Sequence, residues 1–118
     1  MSSSDLNALK QRLREFAEAR DWDQFHSPKN LSMALSAEVA EILEHFQLLT
    51  EEQSKKLPQN KLDEVETELA DTLIYLIRLA DKLDIDLLAV AKNKIEINEQ
   101  KYPVDKVKGR ANKYTEYV

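Results

Sequence analysis

Cysteine is absent from this 118-residue chain, which excludes disulfides, thiolate metal sites and thiol nucleophiles. Glycine occurs once and proline three times, too seldom for the many turns of an all-β protein, so helices are favoured from the outset. Two histidines are too few for a histidine-rich zinc or iron centre. A surplus of basic residues is also lacking: the formal net charge of −5 argues against the broad positive surface that nucleic acid requires. No apolar run reaches the roughly 18 residues of a membrane span, and the opening "MSSSDLNALK" has no signal-peptide core. The expectation is a soluble, cytoplasmic protein without nucleic-acid or membrane partners.

What is present reads as an all-α domain with four main helices. Ser4 can cap a first helix over about residues 5–20, with Leu6, Leu9, Leu13, Phe16 and Ala17 at helical spacing. "DWDQFHSPKN" breaks that pattern, and Ser27-Pro28 starts a second helix running to about Leu49. Thr50-Glu51-Glu52-Gln53 has the capping-box form and predicts a short helix ended near Pro58. Asn60 can cap a third, long helix to about Leu83. Asp86 can cap a fourth, stopped near Tyr102-Pro103. This places the domain at residues 1–103 and leaves 104–118 as a tail that is either extended or ordered only on a partner. The third helix carries Leu69, Leu73, Leu76, Ala80 and Leu83 in one stripe, while Ile74, Ile77 and Leu79 spread sideways. A helix so broadly apolar needs cover on several sides, and in a small protein a second subunit supplies it.

Two greasy segments contain acids, which apolar surroundings disfavour. Glu38 and Glu41 interrupt "LSMALSAEVAEIL", and Glu68 and Asp71 open "ELADTLIYLIRLA". Residues three apart lie about 60° apart around a helix, so each pair shares a face. If the two helices pack antiparallel, the four carboxylates can meet. Crowded carboxylates raise one another's pKa unless a cation compensates them. All-oxygen ligation with room for water suits Mg²⁺, or Mn²⁺ in its place, and such ions commonly carry phosphate oxygens. The commoner fate of acids at this spacing is solvated surface charge. A di-iron bundle would need Glu-x-x-His pairs. Here His45 follows Glu41 by four residues.

With these residues in view, "RDWDQFHSPKNLSMALSAEVAEILEHFQ", "ELADTLIYLIRLADKLDIDL" and "KIEINEQKYPVDKVKGRANKYTEY" together resemble the all-α nucleoside triphosphate pyrophosphohydrolases of the MazG-like superfamily. The resemblance is closest to the dCTP pyrophosphatase branch and covers the chain apart from residues 50–60. It implies a four-helix MazG-like bundle completed by oligomerisation, as a homodimer or dimer of dimers with pockets between subunits. It also implies Mg²⁺-dependent hydrolysis of (deoxy)nucleoside triphosphates, dCTP among them, to the monophosphate and pyrophosphate. Glu38, Glu41, Glu68 and Asp71 fall on the family's metal-ligand positions, with Glu41 the candidate general base.

Trp22 and His26 match positions that flank the nucleotide in the family, where an indole face suits base stacking. Lys94, Asn98, Lys101 and Tyr102 match its phosphate- and sugar-contacting segment. Tyr75, one turn after Asp71, can pack in the core or reach the substrate through its hydroxyl. One departure stands out: Leu48 follows "FQ" where dCTP-preferring relatives commonly carry a tryptophan, so cytosine selectivity is in question. The rival expectation is a non-catalytic helical oligomerisation module whose acids are ordinary surface charge.

Overall fold

Every regular element among the described residues is helical. The computed structural model describes residues 3–111 and Thr115, with side chains from Asp5 onward. In chain order it contains α1 (Ser3–Ala19), a 3₁₀ turn (Asp23–Phe25), α2 (Pro28–Phe46), α3 (Glu51–Ser54), α4 (Gln59–Lys82), α5 (Leu87–Lys101) and α6 (Val104–Val107). Three of the expected caps act as anticipated. Ser27 Oγ accepts from the Asn30 amide at 3.1 Å with Pro28 at the first helical position of α2. Thr50 and Gln53 close a capping box on α3, and Asp86 accepts from the Ala89 amide at 3.1 Å to start α5.

Some boundaries differ from expectation. The cap expected at Ser4 falls inside α1, and its side chain lies outside the described residues. Helix α2 stops at Phe46 rather than Leu49, because the chain must turn extended at Thr50 to begin the next helix. Helix α4 starts at Gln59, one residue before the proposed cap at Asn60. Pro58 holds the N-cap position with extended backbone, and no side chain caps this terminus. The segment expected to be extended after Pro103 forms the helical turn α6, since Pro103 presents its carbonyl to the Lys106 and Val107 amides. Residues 112–114 and 116–118 lie outside the described residues.

Two helix ends share a device. After α1, Asp21 adopts a left-handed φ of 54°, letting the Trp22 amide bond Ala17 O at 2.9 Å and the Asp21 amide bond Glu18 O at 3.1 Å. After α4, Asp84 (φ 57°) does the same, with Ile85 N to Ala80 O at 2.9 Å and Asp84 N to Asp81 O at 3.2 Å. Both are Schellman ends with aspartate where glycine is usual. The first turns the chain so that Trp22 meets α1 again.

The chain divides into two compact units, Met1–Ile85 and Asp86–Val118. In the first, α4 is the central element: α2 packs along it, and α1 packs on it more lightly. The buried apolar side chains among the described residues are Ala17, Leu31, Val65, Ile77 and Ala80, and of these only Leu31 is a large side chain buried completely. Leu69, Leu73, Leu76 and Leu83 of the anticipated stripe stay 37–53% exposed, so this unit leaves much of its apolar surface uncovered. In the second unit α5 exposes Val90, Ile95 and Ile97. No helix among the described residues is long and apolar enough to cross a membrane.

Candidate active site

Helices α2 and α4 run antiparallel where their acids lie. His45, near the end of α2, reaches Glu64 and Glu68 near the start of α4, while Glu38, earlier in α2, feels Asp71, later in α4. The i,i+3 spacing therefore brings both acid pairs to one interhelical face. Glu38 is the inner member. Its Oε2 is buried without a hydrogen-bond partner, and burial pushes its carboxyl up from the ordinary value. Glu41 pushes it the same way, through a carboxyl–carboxylate hydrogen bond available when one of the two is protonated and through its charge. The charges of Asp71 and then Glu68 add to this. Glu41 itself is exposed.

His45 also faces this cluster, a contact the spacing argument overlooked. His45 Nε2 lies 2.6 Å from Glu68 Oε2, and its Nδ1 lies 3.7 Å from Glu64 Oε2. The first contact is close in distance but not aligned as a hydrogen bond, so Glu68 Oε2 is a second buried oxygen left without a partner. As the side chains stand, no three His, Asp or Glu among the described residues converge on one point as metal ligands.

Beside the acids lies a cavity of about 310 Å³ between α1, the 3₁₀ turn and α4. Trp22, His26, Asp71 and Tyr75 all line it, so four residues singled out from the sequence come together. Trp22 is held edge-on to Phe16, ring centroids 5.6 Å apart at 73°, and remains about half exposed. Arg20 covers Phe16 at 3.7 Å from its centroid. Asp71 belongs to both places: it lines the cavity and its charge acts on Glu38. Leu48 lies in the turn after α2, 91% exposed, and is not among the cavity's lining residues.

Arg78 is the residue that sequence reasoning missed. It sits in the apolar run of α4, is only 3% exposed, and lines the same cavity. Its Nη2 donates to Asp23 Oδ1 at 2.9 Å and lies 3.2 Å from His26 Nδ1, while Nη1 is 3.6 Å from Asp81 Oδ2. Lys82 donates to the same Asp23 oxygen at 2.6 Å, and Arg14 Nε donates to Asp81 Oδ2 at 2.7 Å. The chain of charges Arg14–Asp81–Arg78–Asp23–Lys82 thus ties α1 and the 3₁₀ turn to the end of α4.

In the second unit, Lys94 and Asn98 lie one turn apart on exposed α5, and the Tyr102 amide closes the helix on Asn98 O at 2.8 Å. Lys101 is the last helical residue.

This arrangement defines a class: helical scaffolds that set two i,i+3 acid pairs face to face beside an aromatic-walled cavity. The MazG-like family profile matches residues 33–117, and the chain belongs to that family. It is 41% identical over 113 residues to dCTP pyrophosphatase 1 of Mus musculus and 38% identical over 115 residues to that of Homo sapiens. Each alignment covers 94% of this chain and 66% of the relative, so the chain spans about two thirds of the length of the curated relatives it matches. A solved pyrophosphatase structure from Archaeoglobus fulgidus DSM 4304 superposes with a TM-score of 0.79 at 42% identity, covering 84% of this chain and 93% of that one.

The charge chain has a consequence for acid stability. The hydrogen bonds from Arg14 hold the Asp81 carboxyl below its ordinary value; burial opposes this, and the charges of Arg14, Lys10 and Arg78 reinforce it. The unfolded chain therefore takes up this proton first as pH falls. The stabilisation is complete above about pH 5 and is lost as pH drops through the ordinary value near ~3.9 toward the lower folded value. Asp81→Asn should cost about 1–3 kcal/mol at neutral pH, and its deficit against wild type should shrink as pH falls toward about 3. Urea denaturation across that range reads this out. A deficit independent of pH would show that the Asp81 charge contributes nothing.

Proposed function

We propose that this protein is a nucleoside triphosphate pyrophosphohydrolase acting on deoxynucleotides, dCTP among them, and yielding the monophosphate and pyrophosphate. The observation that carries the reading is the double position of Asp71, on the acid cluster and on the wall of the Trp22 cavity. One residue joins a site fit for a cation and phosphates to one fit for a base. The names of the relatives, dCTP pyrophosphatase 1 and a pyrophosphatase, favour the same reaction.

Glu38, Glu41, Glu68 and Asp71 would hold Mg²⁺, with Mn²⁺ able to substitute. Their donors are hard oxygens, and the partnerless buried oxygens of Glu38 and Glu68 fit such a role. When bound, the ion neutralises phosphate charge and lowers the pKa of an attacking water. Glu41, exposed beside Glu38, would serve as the general base, taking a proton from the attacking water as its oxygen bonds to phosphorus. The α–β phosphoanhydride bond then breaks and pyrophosphate departs. Trp22 stacks on the base, His26 and Tyr75 contact the nucleoside, and Lys94, Asn98, Lys101 and Tyr102 serve the phosphates and sugar.

The uncovered apolar faces of α2 and α4 favour a homo-oligomer, a dimer or dimer of dimers. Sedimentation at low micromolar concentration should give a dimer or tetramer; a well-folded monomer would contradict this part.

Pyrophosphate release from dCTP, dTTP, dATP and dGTP tests the activity. Several should be hydrolysed, dCTP among the better ones. Base stacking is worth roughly 1–3 kcal/mol, so Trp22→Ala should lower kcat/KM for dCTP about tenfold, chiefly through KM. Asp71→Asn should keep its fold and lose more activity than the roughly 10–100-fold that follows loss of an outer-sphere metal partner. Full activity in Asp71→Asn would sink the site. A wild type that hydrolyses none of the four nucleotides, and is not stabilised by Mg²⁺ with nucleotide, would point to a non-catalytic module instead.

A further inference from the structure

The contact between Arg78 and His26 determines more than the path of a loop. A guanidinium has five N–H donors and no acceptor. At 3.2 Å from Arg78 Nη2, His26 Nδ1 can therefore take part only as an acceptor, which requires that it carry no proton. A neutral imidazole without a proton on Nδ1 has its proton on Nε2. The imidazolium form would aim a second N–H at a buried cation, so it is disfavoured by both geometry and charge.

The surroundings hold this arrangement in place. Arg78 cannot turn away, because Asp23 and Asp81 flank the same guanidinium and Asp23 is bonded in turn by Lys82. His26 is fixed from its other side by the chain, which enters α2 one residue later through the Ser27 cap. The charged groups acting on the ring are Arg78, Asp23 and Lys82, and Asp71 and Tyr75 share its cavity. Burial and then the Arg78 charge lower the imidazole's pKa. The Asp23 carboxylate opposes them, and Lys82 adds to the lowering.

We propose that Arg78 is a positioning residue that locks His26 as the neutral imidazole protonated on Nε2. The Trp22 cavity then offers a fixed N–H donor to an uncharged acceptor, a carbonyl oxygen or ring nitrogen of a nucleobase. A neutral donor is poorly suited to a phosphate, which this site leaves to cations elsewhere. The identity of the ligand rests on the nucleotide reading above, whereas the state of the ring does not.

The sequence holds only two histidines, so the ring state can be read directly from long-range ¹H–¹⁵N spectra of the labelled wild-type protein. His26→Gln assigns the signals by removing one set. Near neutral pH the His26 ring should show a protonated Nε2 and a bare Nδ1. In Arg78→Met its titration midpoint should move up, and the single tautomer should give way to a mixture. A proton on Nδ1 in the wild type near neutral pH, in either the neutral or the charged ring, would overturn the proposal.

Kinetics supply the second arm. Arg78→Met should lower kcat/KM for dCTP about tenfold, the size of one lost hydrogen bond, mainly by raising KM. Adding Arg78→Met to His26→Gln should cost nothing further, because the one residue acts through the other. Additive losses would mean that Arg78 serves the fold alone and would refute the positioning role. If no nucleotide is turned over, the functional reading fails while the spectra still decide the ring state. If Arg78→Met does not fold, the wild-type spectrum decides alone.

Discussion

The crowding of negative charge around Glu38 is the constraint on which the rest of the site depends. A carboxylate oxygen stripped of water and left without a hydrogen bond is costly, and three more acids beside it increase the cost. Such an arrangement persists only where packing imposes it. Here α2 and α4 impose it, because the faces that bury Leu31 and Val65 belong to the same helices that carry the acid pairs. His45 turns both ring nitrogens toward acids of α4. The crowded negative charge is what a divalent cation would neutralise, and it ties the chemistry proposed here to the packing of two helices.

A second set of charges does the opposite kind of work at the other end of α4. Arg14, Asp81, Arg78, Asp23 and Lys82 alternate in sign, and each is placed against a partner. They fasten the segment between α1 and α2, whose course is already set by the left-handed Asp21. That segment carries Trp22 and His26. Helix α4 therefore serves as a common rail: its first half presents acids, its second half anchors the aromatic wall, and Asp71 lies between. Motion of the wall relative to the acids would require breaking these ion pairs.

Much of this was legible in the sequence, for reasons that differ between residues. The caps at Ser27, Thr50 and Asp86 could be read because each interaction is local, completed within three residues. The start of α4 was misplaced because Pro58 opens it by backbone geometry alone, leaving no capping side chain to recognise. The two acid pairs were visible through helical spacing, Trp22 and His26 came from motif resemblance, and Tyr75 from its place one turn after Asp71. Arg78 was passed over because its partners Asp23 and His26 lie 55 and 52 residues away. Its signal was nevertheless present: an arginine inside an apolar helical run raises the same question as the acids in that run. His45 was weighed against Glu41 on its own helix, whereas its contacts are on α4.

The central claim is that the Glu38, Glu41, Glu68 and Asp71 carboxylates form one cation site that serves a bound nucleotide. The most direct measurement is anomalous scattering from crystals grown with Mn²⁺ and a non-hydrolysable deoxynucleotide. The account predicts manganese density ligated by these four side chains, with phosphate oxygens in the same coordination shell. Manganese found elsewhere, or nucleotide bound with these carboxylates left unligated, would contradict it.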